Sequence, residues 1–121
     1  VEGMPELIAC LKRDGYWIAV ETNGTVDAPW LAFVDYVACS PKAEFADRIA
    51  LTAADEVRVV ASSEAAAAFC ARVRGMIAAR DYYVSPCDRG GTIDYATAKS
   101  VLAKSDGWSL SVQLHKILGF R

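Results

Sequence analysis

The sequence predicts an α/β fold on a parallel sheet, and three observations carry that prediction. Short apolar runs rich in Val, Tyr and Trp alternate with amphipathic stretches of helical period. A dozen or more residues separate successive runs, the length that a parallel crossover needs. Gly, Pro and Asn mark the junctions. With 121 residues, 54% of them apolar and 23% charged, the chain suffices for one domain with a packed core.

Pro5, the bases Lys12 and Arg13, and Gly15 bound a first helix over Glu6 to Asp14. Tyr16 to Val20 is a near-continuous apolar run and predicts a strand buried on both faces, ended by the turn residues Glu21 to Gly24. A second strand is expected over Phe33 to Cys39, stopped by Ser40-Pro41, and a third over Asp55 to Ala61. Ser62, Ser63 and Glu64 offer caps to a helix whose Phe69, Val73, Met76 and Ile77 recur at four and three residues. Tyr82 to Ser85 predicts a fourth strand ended by Pro86. A helix opens near Thr92 and runs through Lys104, with Gly107 just beyond it. Trp108 to Leu114 alternates apolar and polar residues, as a half-exposed last strand does, and His115 to Phe120 closes the chain in a short turn.

The formal charge is −2, which gives no electrostatic basis for binding nucleic acid or an anionic membrane surface. No apolar stretch approaches the roughly 18 residues of a membrane-spanning helix. Val1-Glu2-Gly3 lacks the basic and apolar regions of a secretory signal, so a cytoplasmic location is expected. Cys10, Cys39, Cys70 and Cys87 are too widely spaced for a zinc pattern or a small disulfide scaffold. Cys10 and Cys70 lie in periodic apolar stretches and are expected in the core. With one histidine in the chain, no His-rich metal site is expected, and no metal ligand is assigned.

Ligands of parallel α/β sheets sit beyond the carboxyl ends of the strands. Those ends carry Glu21-Thr22-Asn23-Gly24-Thr25, Ser40-Pro41-Lys42, Ser85-Pro86-Cys87-Asp88, and then Gln113, His115 and Lys116. Each segment also has a structural reading. Asn23-Gly24 is a common turn pair, Ser-Pro is a common strand stop, Lys42 can be surface charge, and His115 can complement a helix dipole. Gly90-Gly91 has neither dinucleotide nor phosphate-loop spacing, and no nucleophile elbow is present.

In this order and spacing, these segments, together with Ala54 to Val60 and the terminal run of Trp108, Leu110, Ser111, Gln113, His115 and Lys116, resemble the C-terminal half of 7-carboxy-7-deazaguanine synthase. That family belongs to the radical S-adenosylmethionine superfamily. The resemblance covers residues 1–121 as a single domain and implies the later strands of a partial TIM-type barrel with helices outside. It implies a carbon–nitrogen lyase of queuosine and 7-deazapurine biosynthesis, a tRNA-modification pathway. The family converts 6-carboxy-5,6,7,8-tetrahydropterin to 7-carboxy-7-deazaguanine with S-adenosylmethionine, a [4Fe–4S] cluster and Mg2+.

Carried over by position, Glu21, Ser40, Pro41 and Lys42, and then Ser85, Pro86, Cys87 and Asp88, match cofactor-binding segments. His115 and the terminal carboxylate of Arg121 match pterin contacts. Ser85 stands where the family usually carries Gln, and Leu114 where it commonly has Thr. The cluster-binding cysteine triplet and the Gly-Gly-Glu-Pro segment are not in these residues, and Val1 is not a start methionine. The chain is therefore expected to be a fragment, inactive alone, whose partners are the N-terminal half of the same enzyme, a small pterin and a second copy in a homodimer. Two alternatives stay open: another radical S-adenosylmethionine enzyme such as an activase, and a non-catalytic half-barrel that serves binding or assembly.

Overall fold

Pro5 in the first turn and Lys12 and Arg13 in the last set the limits of α1, Met4–Arg13, in the computed structural model, which describes residues 2–119. Met4, Ile8 and Leu11 recur at helical spacing and form its inner face, with Ile8 buried. Cys10 lies off that face and is exposed, so the expectation of a core thiol fails there; helical phase places Ile8 inward instead. Lys12 reaches across to Asp35 at 2.7 Å, and Asp35 also accepts from the Ile18 amide. These contacts, the Lys12 bond foremost, hold the Asp35 carboxyl below its usual range.

The strands are β1 (Ala19–Thr22), β2 (Tyr36–Cys39), β3 (Ala53–Ala61), β4 (Ala78–Arg89), β5 (Thr92–Asp94) and β6 (Ser109–Leu110). The helices after α1 are α2 (Ala66–Met76), α3 (Tyr95–Ala103) and α4 (Leu114–Ile117). Strands β1 to β4 are parallel neighbours in chain order, and β6 lies parallel on the far side of β4. Among the described residues only β5 runs antiparallel, in a hairpin on the end of β4. Among the described residues the sheet is open, with β1 at one edge.

Register sorts the side chains between two faces. Cys39 sits beside Val57, and Val59 beside Val84, so these residues share the face that α2 and α3 cover. Phe69, Cys70 and Val73 of α2, Ile77 just after it, and Ala98 and Val101 of α3 complete the core. Each large aliphatic side chain buried there contributes about 1.5–3 kcal/mol. Trp108 is buried against the Tyr82 ring at 5.2 Å, and Arg74 lies over the same ring at 4.6 Å. The Tyr82 hydroxyl donates to the Ile77 carbonyl and accepts from the Ala79 amide, which ties the α2–β4 junction to the sheet.

Several sequence expectations shift. The first strand begins at Ala19, so Tyr16 and Trp17 fall before the sheet and are 61% and 68% exposed. The first part of the run expected as β2 is a 3₁₀ turn over Pro29–Phe33. Pro86 does not stop β4: it sits opposite Ala61, the last residue of β3, where the parallel ladder is already ending. Gly90 and Gly91 both take positive φ in the two-residue loop of the β4–β5 hairpin, so Thr92 belongs to β5 and the helix starts at Tyr95. Asp94 caps α3, accepting from the Thr97 amide and hydroxyl and from Arg89. Those three bonds, the Thr97 amide first, lower its carboxyl to about 2. The last strand is two residues long, and Leu110, Val112 and Leu114 remain exposed; their alternation marks a face able to be buried and not one buried here. Among the described residues no helix is long and apolar enough to cross a membrane.

Candidate functional site

The face opposite α2 and α3 carries the polar chemistry. Glu21, Ala38, Glu56 and Asp81 form one row across β1 to β4, and Arg58, Tyr83 and Ser109 form a second across β3, β4 and β6. Val60 and Ser85 form a third, nearest the carboxyl ends of the strands. There the surface sinks into a groove of two lobes. One, of about 270 Å³, is lined by Glu21, Ala38, Cys39, Ser40, Lys42, Arg58, Val60 and Gln113. The other, of about 280 Å³, is lined by Val60, Ser85, Pro86, Cys87, Asp88, Ile93, Ser111 and Gln113. Val60 and Gln113 line both, so the lobes adjoin.

The first lobe is shaped by the turn after β1. The Thr22 hydroxyl accepts from the Gly24 amide at 3.1 Å, and the Asn23 side chain accepts from the Thr25 amide and hydroxyl. Gly24 has φ +84°, and its carbonyl accepts from the amides of Ala50 and Leu51. A Cβ at Gly24 would stand 2.9 Å from the Cys39 sulfur, so the turn is packed on β2. Thr22, Asn23, Gly24 and Thr25 are thus consumed by the turn itself, and Glu21 is the residue of that segment that lines the groove. After β2, the Lys42 ammonium donates to the Ser40 hydroxyl at 3.2 Å, while Pro41 is buried and lines an adjoining hollow that also includes Lys42 and Val60.

The second lobe belongs to the end of β4. Ser85 is buried at 9% exposure beside Val60, and Cys87 is half-buried. The Asp88 carboxylate accepts from the Gly91 amide at 2.8 Å, which ties the hairpin loop to the groove rim. Of the residues that sequence singled out, Glu21, Ser40, Lys42, Ser85, Pro86, Cys87 and Asp88 line these two lobes. His115 is exposed on α4 and lines neither. Arg121 lies outside the described residues.

Gln113, one of the strand-end polar residues, lines both lobes, whereas sequence reasoning passed over Arg58 and its partner Glu56. Their signal was period-two alternation: once Val57, Val59 and Ala61 face the helices, Glu56 and Arg58 must face away. The groove offers carboxylate, ammonium, guanidinium, hydroxyl and amide groups over an apolar floor at Val60, a set suited to a zwitterionic ligand with hydroxyls. It does not suit an iron–sulfur cluster. Among the described residues no three His, Cys, Asp or Glu side chains are grouped to hold a metal. Burial pushes the Cys39 and Cys70 thiols up to about 11, away from the thiolate that a cluster needs.

No family model matches the chain. It is similar to the 7-carboxy-7-deazaguanine synthase of Neisseria meningitidis serogroup B, with 40% identity over 93% of this chain and 57% of that protein. The enzyme of the same name from Haemophilus influenzae is 35% identical over 93% of this chain and 56% of its own length. That from Caulobacter vibrioides is 38% identical over 93% and 50%. The resemblance read from the strand-end segments is borne out by these relatives, and the chain spans about half the length of the curated proteins it matches.

Proposed function

We propose that this chain forms the later part of a 7-carboxy-7-deazaguanine synthase, and that its groove binds S-adenosylmethionine beside a carboxylated tetrahydropterin. One observation carries the reading: the ends of β1, β2 and β4, far apart in sequence, contribute Glu21, Ser40, Lys42 and Ser85 to Asp88 to two adjoining lobes that share Val60 and Gln113. In this reading the open sheet is the later portion of a partial TIM-type barrel, and the face opposite α2 and α3 is the barrel interior. Bound there, S-adenosylmethionine would supply the radical chemistry of the ring contraction, in which ammonia is lost.

The chain's own residues bind and orient. Lys42 and Ser40 offer an ammonium and a hydroxyl to carboxylate and ribose groups, and Glu21 accepts from hydroxyl or ring N–H donors. Ser85, Pro86, Cys87 and Asp88 line the second lobe, and His115 and Arg121 are assigned to the pterin side. The described residues hold no thiolate group for the [4Fe–4S] cluster, and no step is assigned to this chain through the cluster or Mg2+. A cytoplasmic homodimer in the queuosine pathway completes the proposal.

The test is anaerobic reconstitution of the full-length protein with iron and sulfide, followed by assay for 5′-deoxyadenosine and 7-carboxy-7-deazaguanine from the carboxytetrahydropterin. Both products are expected. Absence of 5′-deoxyadenosine from cluster-loaded protein would sink the reading. A non-catalytic binding module is the second reading, favoured by one observation: His115 and Leu114 are exposed and line neither lobe. It predicts ligand binding without turnover in the same assay.

A further inference from the structure

We infer that Arg58, braced by Glu56, receives a ligand carboxylate in the sheet-face groove. Arg58 lies in the middle of β3, between β2 and β4, and its side chain is 37% exposed into the first lobe. Its Nη2 donates to Glu56 at 3.0 Å. Its Nε is buried without a hydrogen-bond partner, and Nη1 makes no hydrogen bond to a described residue. A guanidinium carries five N–H donors in a planar fork matched to carboxylates, so one ion pair leaves most of its bonding capacity unspent.

Glu56 is almost fully buried on the same face, and Tyr36 of β2 lies next to it. Burial first, and the Glu56 carboxylate second, push the Tyr36 hydroxyl up, so the phenol stays neutral and able to donate beside that carboxylate. The bond to Glu56 thus holds one terminal nitrogen of the guanidinium in place, and Arg58 lines the same lobe as Lys42. A guanidinium so placed, in a lobe that otherwise holds one ammonium and Glu21, is the complement of a carboxylate and not of a neutral ring.

The inference rests on the functional reading above. Both proposed ligands carry a carboxylate, so the shared group is assigned and the experiment identifies its source. Calorimetric titration of the full-length protein compares two ligand pairs: S-adenosylmethionine with its decarboxylated form, and 6-carboxypterin with pterin. In the wild type, one carboxylated member is expected to bind at least about tenfold tighter than its partner. Arg58→Gln should erase that preference without weakening the partner that lacks the carboxylate. Arg58→Lys should restore part of it, having the charge but not the fork. The preference is a ratio within one variant and does not depend on the fraction folded. A preference that survives in Arg58→Gln overturns the inference alone. Wild-type protein that binds none of the four ligands overturns the functional reading and the inference with it.

Discussion

The two faces of the sheet are made by the same strands and differ in nearly every physical respect. On one, Val57, Val59, Val84, Phe69, Val73 and Val101 form a closed apolar core beneath α2 and α3. On the other, residues one position away in the same strands are Glu56, Arg58, Val60, Tyr83 and Ser85, on the side away from α2 and α3. The covered face holds the fold together; the opposite face holds the groove. Strand alternation alone separates the two roles, so stability and binding can change independently.

Truncation on each face tests that separation most directly. Ile77→Ala, in the core, should cost about 2–5 kcal/mol, while Val60→Ala, on the groove floor, should stay within about 0.5 kcal/mol. Urea denaturation of both variants measures the gap, and equal losses would erase the distinction between the faces. The next effect lies where the faces meet. Gly24→Ala places a side chain at positive φ against Cys39 and should cost about 1–3 kcal/mol by the same measurement. An unchanged unfolding midpoint would show that the turn relaxes freely.

A smaller effect comes from Asp94, whose carboxyl is lowered from 3.8 to about 2 in the folded protein. A depressed folded-state pKa contributes stability above the unfolded value, and that contribution is lost as pH falls from about 4 toward 2. The stability difference between wild type and Asp94→Asn, which keeps a capping oxygen, should therefore shrink across this window. A difference constant from pH 6 to pH 2 would remove the charge from the account of the cap. Least of all should Lys42→Met alter melting, since Lys42 is exposed, yet it should weaken S-adenosylmethionine binding. Unchanged binding would take Lys42 out of the groove's function.

Much of this was legible from residue order, and the misses share a cause. Asp55 to Ala61 reads as a strand because it carries Val57, Val59 and Val60, and β3 covers it; Phe69 and Val73 repeat at four, and α2 buries both. Tyr16 and Trp17 read as buried because apolar runs in parallel sheets usually are, but they precede β1 and lie outside the sheet. Gly90-Gly91 is a hairpin only because β4 continues past Pro86, which local propensity argues against. Arg58 went unnoticed because its meaning depends on Glu56, Tyr36 and Lys42, which its own neighbours in sequence do not all supply.

The chain's residue order by itself determined the alternation of helix and strand, the parallel crossovers, and the polar residues at the strand ends, because periodicity, turn chemistry and crossover length are local properties. Tertiary structure alone decided which strands lie side by side, which face α2 and α3 cover, and that Glu21, Lys42, Arg58 and Ser85 line one groove. Those depend on register between segments dozens of residues apart, and no local pattern encodes register.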